Sequence, residues 1–292
     1  MRGFMVELLA MLAAGMPLAG PAVAQSMMKT TLTVDLPNDV ATLDPQQQWD
    51  TDSYTVYRNI FDNLVTRDTS GTIVPQVATS WHYTDNTTLV FDIHKDITFQ
   101  DGTKLTPADV VFSVKRITNP AFKSAQLSQF DQITTAEVTG PDQVTLRTKT
   151  PYPVLLAQLV KLSIVPQAYV ERLGDVKFNQ QPMGSGPYKL ESRQNGVQSV
   201  LTANDHYWRG KPTFQTVIFR VVPADATRVA DLRAGRADIV RQITPDDADS
   251  LKSDNAVKVL AIPTERVGYL FINAQWGPSK DVRVRRAIAM AI

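Results

Sequence analysis

The sequence predicts an α/β fold built on a parallel or mixed sheet. Three observations carry that prediction. Residues 216–222, 225–234 and 237–240 read as strand, helix and strand in quick succession, which is the spacing of a βαβ unit. Residues 31–35, 88–93 and 144–148 alternate apolar and polar side chains, the pattern of half-buried strands. The stretch 99–114, FQDGTKLTPADVVFSV, joins a strand to a helix through a turn. In it Asp101-Gly102-Thr103 makes the turn, with Thr106 as helix cap, Pro107 in the first helical position and Asp109 two residues on. Val110, Val111, Val114 and Ile117 then form one apolar helical face.

The remaining elements follow in chain order. Residues 1–24 read as a cleaved export signal: Arg2 is the positive start, 5–18 the apolar segment and Ala22-Val23-Ala24 the small-residue cleavage site. Glu7, Gly15, Pro17 and Pro21 interrupt any span long enough to cross a bilayer. Past the first strand, 41–52 is a polar loop carrying Gln46, Gln47, Gln48, Trp49 and Asp50. Its aromatic either touches a ligand or pins the loop to the core. Residues 53–64 are expected to be a helix capped by Asp52 or Ser53, with Tyr54, Tyr57, Phe61 and Leu64 as a core stripe. A turn at 68–71 and a short helix at 75–81 come next, then the 88–93 strand.

Residues 119–130 read as irregular surface. Residues 154–162 and 164–173 read as helices, the second stopped by Gly174. The loop 182–188 holds Gly184 and Gly186, whose use is close backbone approach between lobes. A hairpin at 188–190 and 197–203 is followed by 204–210, turning back over it. After the βαβ unit come a helix at 245–252 and strands at 256–261 and 267–272, the latter ending at Asn273. Asp281 caps a last helix whose stripe Ala287, Ile288, Ala291 and Ile292 has no later sequence to cover it, so the pattern predicts a truncated chain.

Composition narrows the function. The 292 residues carry a formal net charge of +1 and no basic run, which argues against a nucleic-acid partner. There is no cysteine, hence no disulfide, thiolate metal site, cysteine nucleophile or lipid anchor at a lipobox. The three histidines, His82, His94 and His206, have no metal-ligand spacing, and no metal or cofactor is expected. Gly184-Ser185-Gly186 fits neither a phosphate loop nor a nucleophile elbow. No nucleophile stands in a recognised local context, so the chain reads as a non-enzyme.

Eight segments in order then resemble the family 5 extracytoplasmic solute-binding proteins of ABC importers, the dipeptide, oligopeptide and nickel binders. They are Leu43-Asp44-Pro45; Asn59-Ile60-Phe61-Asp62-Asn63-Leu64-Val65; Pro75-Gln76-Val77-Ala78-Thr79-Ser80-Trp81; and 99–114. Next come Gly184-Ser185-Gly186-Pro187-Tyr188; 204–208 with Gly210-Lys211-Pro212; Arg228 with Leu232, Gly235 and Asp238; and Asp281-Val282-Arg283-Val284-Arg285-Arg286-Ala287-Ile288.

The resemblance implies a two-lobed, class II-like periplasmic binding protein fold with lobe II largely missing. Lobe I would be 25–67 and 151–265, an extra subdomain 68–150, and 266–292 the hinge strand and the start of lobe II. It implies a periplasmic protein, monomeric at full length. That protein would close by a population shift on a small peptide and deliver it to an ABC permease of the inner membrane. Gln48, Trp49, Asp50 and Thr51 would be lobe I's share of the cleft, Gly184 and Gly186 support near the hinge, and Asn273 a cleft-edge hydrogen bond. Nickel, haem or an oligosaccharide are the other ligands the family admits. The competing class is a remnant that binds no solute, or only a protein partner through its uncovered apolar face.

Overall fold

The computed structural model describes residues 29–262 and 268–292. The chain forms two compact units, one ending at Thr244 and one spanning Pro245–Ile292. The first unit opens with β1 (Thr31–Leu36), α1 (Thr51–Tyr57), β2 (Val65–Arg67), β3 (Ile73–Pro75), β4 (Ala78–Asp85) and β5 (Thr88–Ile93). It continues with α2 (Pro107–Thr118), α3 (Leu127–Phe130), β6 (Ile133–Gly140), β7 (Gln143–Thr148), α4 (Leu155–Leu159), α5 (Gln167–Leu173) and α6 (Asp175–Gln180). It ends with β8 (Tyr188–Gln194), β9 (Gln198–Ala203), β10 (Thr216–Val221), α7 (Asp225–Arg233) and β11 (Ile239–Val240). The second unit holds α8 (Pro245–Leu251) and α9 (Val282–Ala291).

The main sheet has the order β11-β1-β10-β9-β8. β1 lies parallel to both β10 and β11, so the predicted βαβ unit crosses over β1 and places its two strands on either side of it. β10, β9 and β8 continue antiparallel. Val34 and Leu36 of β1 are buried with Tyr57, Phe61, Val165, Phe178, Leu201 and Phe219. Asp35 is also fully buried on β1. It sits opposite Arg220 of β10 in the register, and the two close a bidentate pair at 2.8 and 2.9 Å.

A second, antiparallel sheet runs β4-β5-β7-β6 and packs on the apolar face of α2, with β2 and β3 as a separate hairpin. The α2 start follows the predicted chemistry. The Asp109 carboxylate accepts from the Thr106 N–H at 2.9 Å and its hydroxyl at 2.7 Å. Leu155, Leu159, Leu162 and Ile164 belong to the core of this sheet.

Several expectations are corrected. Residues 75–81 hold no helix: Pro75 ends β3, 76 and 77 form a bend, and 78–81 begin β4, which pairs with β5 from Ala78↔Ile93 to Asp85↔Thr88. The helix expected over 53–64 ends at Tyr57, since the carbonyls of Asn59 and Ile60 accept from Tyr188 and Gly186 and not from the next helical turn. Asp50, not Asp52 or Ser53, caps it. The segment expected to be irregular at 119–130 contains α3. No strand forms at 256–261. Of the strand expected at 267–272, residue 267 lies outside the described residues and 268–272 form no regular element. The signal segment 1–24 also lies outside the described residues. Among those described, no helix is long and apolar enough to cross a membrane.

Candidate solute-binding face

β1, β10 and β11 point the same way, so the loops after them emerge at one edge of the sheet. In open α/β sheets this carboxyl edge is where ligands bind. The loop after β1 carries the sequence-predicted residues Gln48, Trp49, Asp50 and Thr51, and the structure holds it rigidly from beneath. Arg116 of α2, 6% exposed, binds both oxygens of the fully buried Asp44 at 3.1 and 2.5 Å. It also reaches Gln46 at 3.0 Å and Asp175 at 2.7 Å, and lies 4.0 Å from the Phe122 ring centre. Burial opposes the Arg116 charge, but Asp44 and Asp175 more than offset it and raise its pKa. Asn179 Oδ1 accepts from the backbone N–H of Leu43 and Asp44 at 2.7 and 3.2 Å. The Gln46 amide donates to the carbonyls of Ser113 and Ser163.

On this base, Asp50 caps α1 by accepting from the Asp52 and Ser53 N–H at 3.1 and 2.9 Å, and its second oxygen takes Gln48 Nε2 at 3.0 Å. Partial burial would raise the Asp50 carboxyl, but the bonds from Ser53, Gln48 and Asp52 outweigh it and hold it below the usual range. Trp49 is 36% exposed. Its ring centre is 5.4 Å from that of Tyr54, and Lys161 Nζ stands 4.8 Å from it. Arg58 lies 5.2 Å from the Tyr54 ring centre. Thr51 is half-buried, its carbonyl accepting from the Thr55 hydroxyl at 2.7 Å.

Gly184 and Gly186 lie deeper, packed on the turn after α1. A Cβ on Gly184 would stand 2.3 Å from Ile60 O, and one on Gly186 would stand 2.6 Å from Ile60 C. The close approach expected of these glycines is therefore to the 59–61 turn of the same unit. Gln100 seals the junction, donating to Ile60 O at 3.0 Å and Tyr188 O at 2.7 Å. Beside it, buried Asp62 takes four donors: Gln76 and Tyr207 on Oδ1, Ser185 and Trp208 on Oδ2. Burial pushes this carboxyl up, and the four hydrogen bonds pull against that shift. Asn273 belongs to the second unit, where it is exposed and its Oδ1 accepts from Gln275 N–H at 2.8 Å.

The sequence reading missed Asn38, Asp52 and Arg241, which meet at the same sheet edge. Asn38 Nδ2 donates to Asp52 Oδ2 at 2.9 Å, and Arg241 Nη1 lies 3.9 Å from Asp52 Oδ1 and bonds Thr55 Oγ1. The available signal was a lone arginine one residue beyond a parallel strand. Among the described residues, no group of three or more His, Cys, Asp or Glu could hold a metal ion.

The model of bacterial extracellular solute-binding proteins, family 5 Middle, matches residues 72–292. The chain belongs to this family. Among curated family 5 relatives, it is 30% identical to the "Probable D,D-dipeptide-binding periplasmic protein DdpA" of Escherichia coli (strain K12), covering 95% of this chain and 55% of that one. It is 28% identical to the periplasmic oligopeptide-binding protein OppA of Salmonella typhimurium, with coverages of 93% and 54%. Among solved structures it resembles MoaA of A. tumefaciens R10 in complex with mannopinic acid, at TM-score 0.82 and 29% identity over 89% of this chain and 55% of that one. The murein tripeptide binding protein MppA of Escherichia coli matches at TM-score 0.80 and 26% identity, over 91% and 56%. The fold is thus the mixed α/β fold of periplasmic binding proteins, and these relatives are binding proteins and not enzymes. The chain spans about half the length of the curated relatives it matches.

Proposed function

We propose that this chain is the solute-capturing component of an ABC importer, acting in the periplasm on small peptides and handing them to a membrane permease. The observation that supports this most is family membership together with relatives named for dipeptide, oligopeptide and murein peptide binding. Residues 25–67 and 151–265 are read as lobe I, 68–150 as its extra subdomain and 266–292 as the passage to lobe II. The segment from Gln48 to Thr51 is the proposed contact of this lobe, with Trp49 giving an exposed ring for apolar parts of a solute and Gln48 and Asp50 a polar rim. Gly184 and Gly186 would act by seating the 182–188 loop against residues 59–61, and Asn273 is proposed as a hydrogen-bonding residue.

A second reading follows from the resemblance to the protein that holds mannopinic acid: the solute would be that acid or one like it. Thermal unfolding of the full chain separates the two. A ligand at a hundred times its Kd adds about 2.7 kcal/mol of stability. L-alanyl-L-alanine or D-alanyl-D-alanine should raise Tm and mannopinic acid should not. A rise with mannopinic acid alone favours the second reading, and no rise with any of them refutes both.

A further inference from the structure

We infer that Asn195 is a site of spontaneous deamidation, and that Asp39 sets its pace by holding the backbone nitrogen that attacks it. This goes beyond solute capture and does not depend on which solute is bound. Asn195 is the one asparagine of the sequence that is followed by glycine. Asparagine is a thermolabile residue. Its side-chain amide is lost fastest before glycine, because no Cβ screens the attacking nitrogen. Residues 195–197 join β8 to β9, and Gln194 through Val197 are exposed at the hairpin tip. Val197 N–H closes the turn on Gln194 O at 3.0 Å, with Gly196 at φ 72°.

Solvent supplies every co-reactant of the step. Hydroxide takes the proton of the Gly196 N–H, and the nitrogen bonds to Cγ of Asn195. The Cγ–Nδ2 bond breaks, and Nδ2 leaves as ammonia with a proton from water, which restores the hydroxide. Water then opens the five-membered succinimide at either carbonyl. One opening gives aspartate at 195, and the other gives isoaspartate, whose backbone is one carbon longer. The net change is amide plus water to carboxylate plus ammonium. Exposure of the tip gives water free access to the site.

In the folded chain the attacking nitrogen is engaged. Gly196 N–H donates to Asp39 Oδ2 at 2.8 Å, and the other oxygen of Asp39 accepts from Val40 N–H at 2.8 Å. Arg193 of β8 stands 3.6 Å from Asp39 Oδ2 and donates to Val40 O. A hydrogen bond to an ionised acceptor is stronger than a neutral one, and it must be given up before the nitrogen can attack. The carboxylate charge beside the nitrogen also opposes loss of its proton. Asn86, exposed in the turn between β4 and β5, gives the contrast. It precedes Thr87, whose branched Cβ screens a nitrogen that Asp85 Oδ1 already holds at 2.8 Å. Conversion of Asn195 places a new negative charge one residue from the Gly196–Asp39 bond. The product therefore loosens the tie between the hairpin tip and the loop after β1.

The test follows the full chain by peptide mass spectrometry during incubation in mild alkali, with chromatography to part aspartate from isoaspartate. In guanidinium chloride, Asn195 should convert faster than Asn86. In the folded wild type its conversion should be about tenfold slower than in denaturant, and folded Asp39→Ala should recover about that tenfold, the worth of one charge-assisted hydrogen bond. Asn86 should keep its wild-type rate in the variant. A wild-type rate at Asn195 in folded Asp39→Ala overturns the role of Asp39. So does an equal rise at Asn86, which marks general loosening. A rate at Asn195 no higher than at Asn86 in denaturant overturns the site itself. Should Asp39→Ala fail to fold, Asp39→Asn decides, because it keeps the shape with only a neutral acceptor. Conversion faster than wild type then supports the role of Asp39, and an unchanged rate overturns it.

Discussion

Replacing Asp62 by asparagine should destabilise the first unit by about 2–4 kcal/mol, and the figure can be worked from the four bonds around it. Oδ1 accepts from Gln76 Nε2 at 2.7 Å and Tyr207 OH at 3.1 Å, and Oδ2 from Ser185 Oγ at 2.8 Å and Trp208 Nε1 at 2.9 Å. The two hydroxyls can rotate and accept, but the indole N–H cannot, and neither can the Gln76 amide nitrogen. Each oxygen thus faces one donor that can only donate. Whichever way the new amide turns, its NH2 meets one of them. Flipping Gln76 is no escape, because its Oε1 accepts from Asn63 N–H at 3.0 Å. The outcome is a stranded donor on each side of the conflict, at about 1–3 kcal/mol for each buried group left unpaired.

Urea unfolding followed by near-UV circular dichroism measures the loss. Trp208→Phe removes one donor-only partner and gives Asp62→Asn a conflict-free orientation. The double variant should therefore recover about 1 kcal/mol relative to additivity. The pH dependence has a definite sign. The Asp62 carboxyl is raised by burial, so the native state binds its proton more tightly than the unfolded chain does. That contribution to stability is complete below the ordinary carboxyl pKa of 3.8 and is lost as pH rises through the raised native value. Asparagine has no such term. A variant within about 0.5 kcal/mol of wild type at every pH would refute the donor argument.

Three further outcomes follow from the same geometry. Gly186→Ala places a Cβ 2.6 Å from Ile60 C and 2.7 Å from Asn59 O, both backbone, so it should cost about 3 kcal/mol in denaturant unfolding, at the upper end of overpacking. Arg116→Met strands the buried Asp44 carboxylate and should cost about 3–5 kcal/mol by the same measurement. Trp49→Ala should lower the urea midpoint modestly, since the ring is 36% exposed and otherwise covered by Tyr54 and Lys161, and weaken dipeptide binding about tenfold by calorimetry. Unchanged affinity would remove Trp49 from the proposed site.

What could be read from the sequence was what local chemistry decides. The Thr106–Asp109 cap, the hairpin of β8 and β9, and the β10–α7–β11 unit all declare themselves within short windows. β4 escaped because its pairing with β5 shifts register between Ala78 and Ser80 and again between Tyr83 and Asp85, which erases the period-2 pattern. β6 escaped for the same reason, with shifts between Ile133 and Thr135 and between Val138 and Gly140. The 53–64 stripe was read rightly as core, since Tyr57, Phe61 and Leu64 are fully buried, but wrongly as one helix. Its last residues are held by Gly186 and Tyr188, more than a hundred positions away. At the proposed site, the polar loop with Trp49 was legible as a loop. Asp52 and Arg241 were not, because only the parallel pairing of β1 with β11 brings them to one edge.

Carboxylate–arginine pairs of the first unit take two geometries. Asp44–Arg116 and Asp35–Arg220 are closed, bidentate and tied to neighbouring elements, and they fix where the β1 loop and the strands lie. A buried pair of this kind adds little net stability over apolar packing but is costly to break, so it acts as a locator. Asp52 and Arg241 approach only to 3.9 Å at the sheet edge, and Asp52 Oδ1 accepts no hydrogen bond. Were this pair a locator too, Asp52→Asn would destabilise as Arg116→Met does. Standing 3.9 Å off, with no hydrogen bond between the two to break, Asp52→Asn should instead lose little stability. Denaturant unfolding of that single variant therefore separates the two kinds of pair.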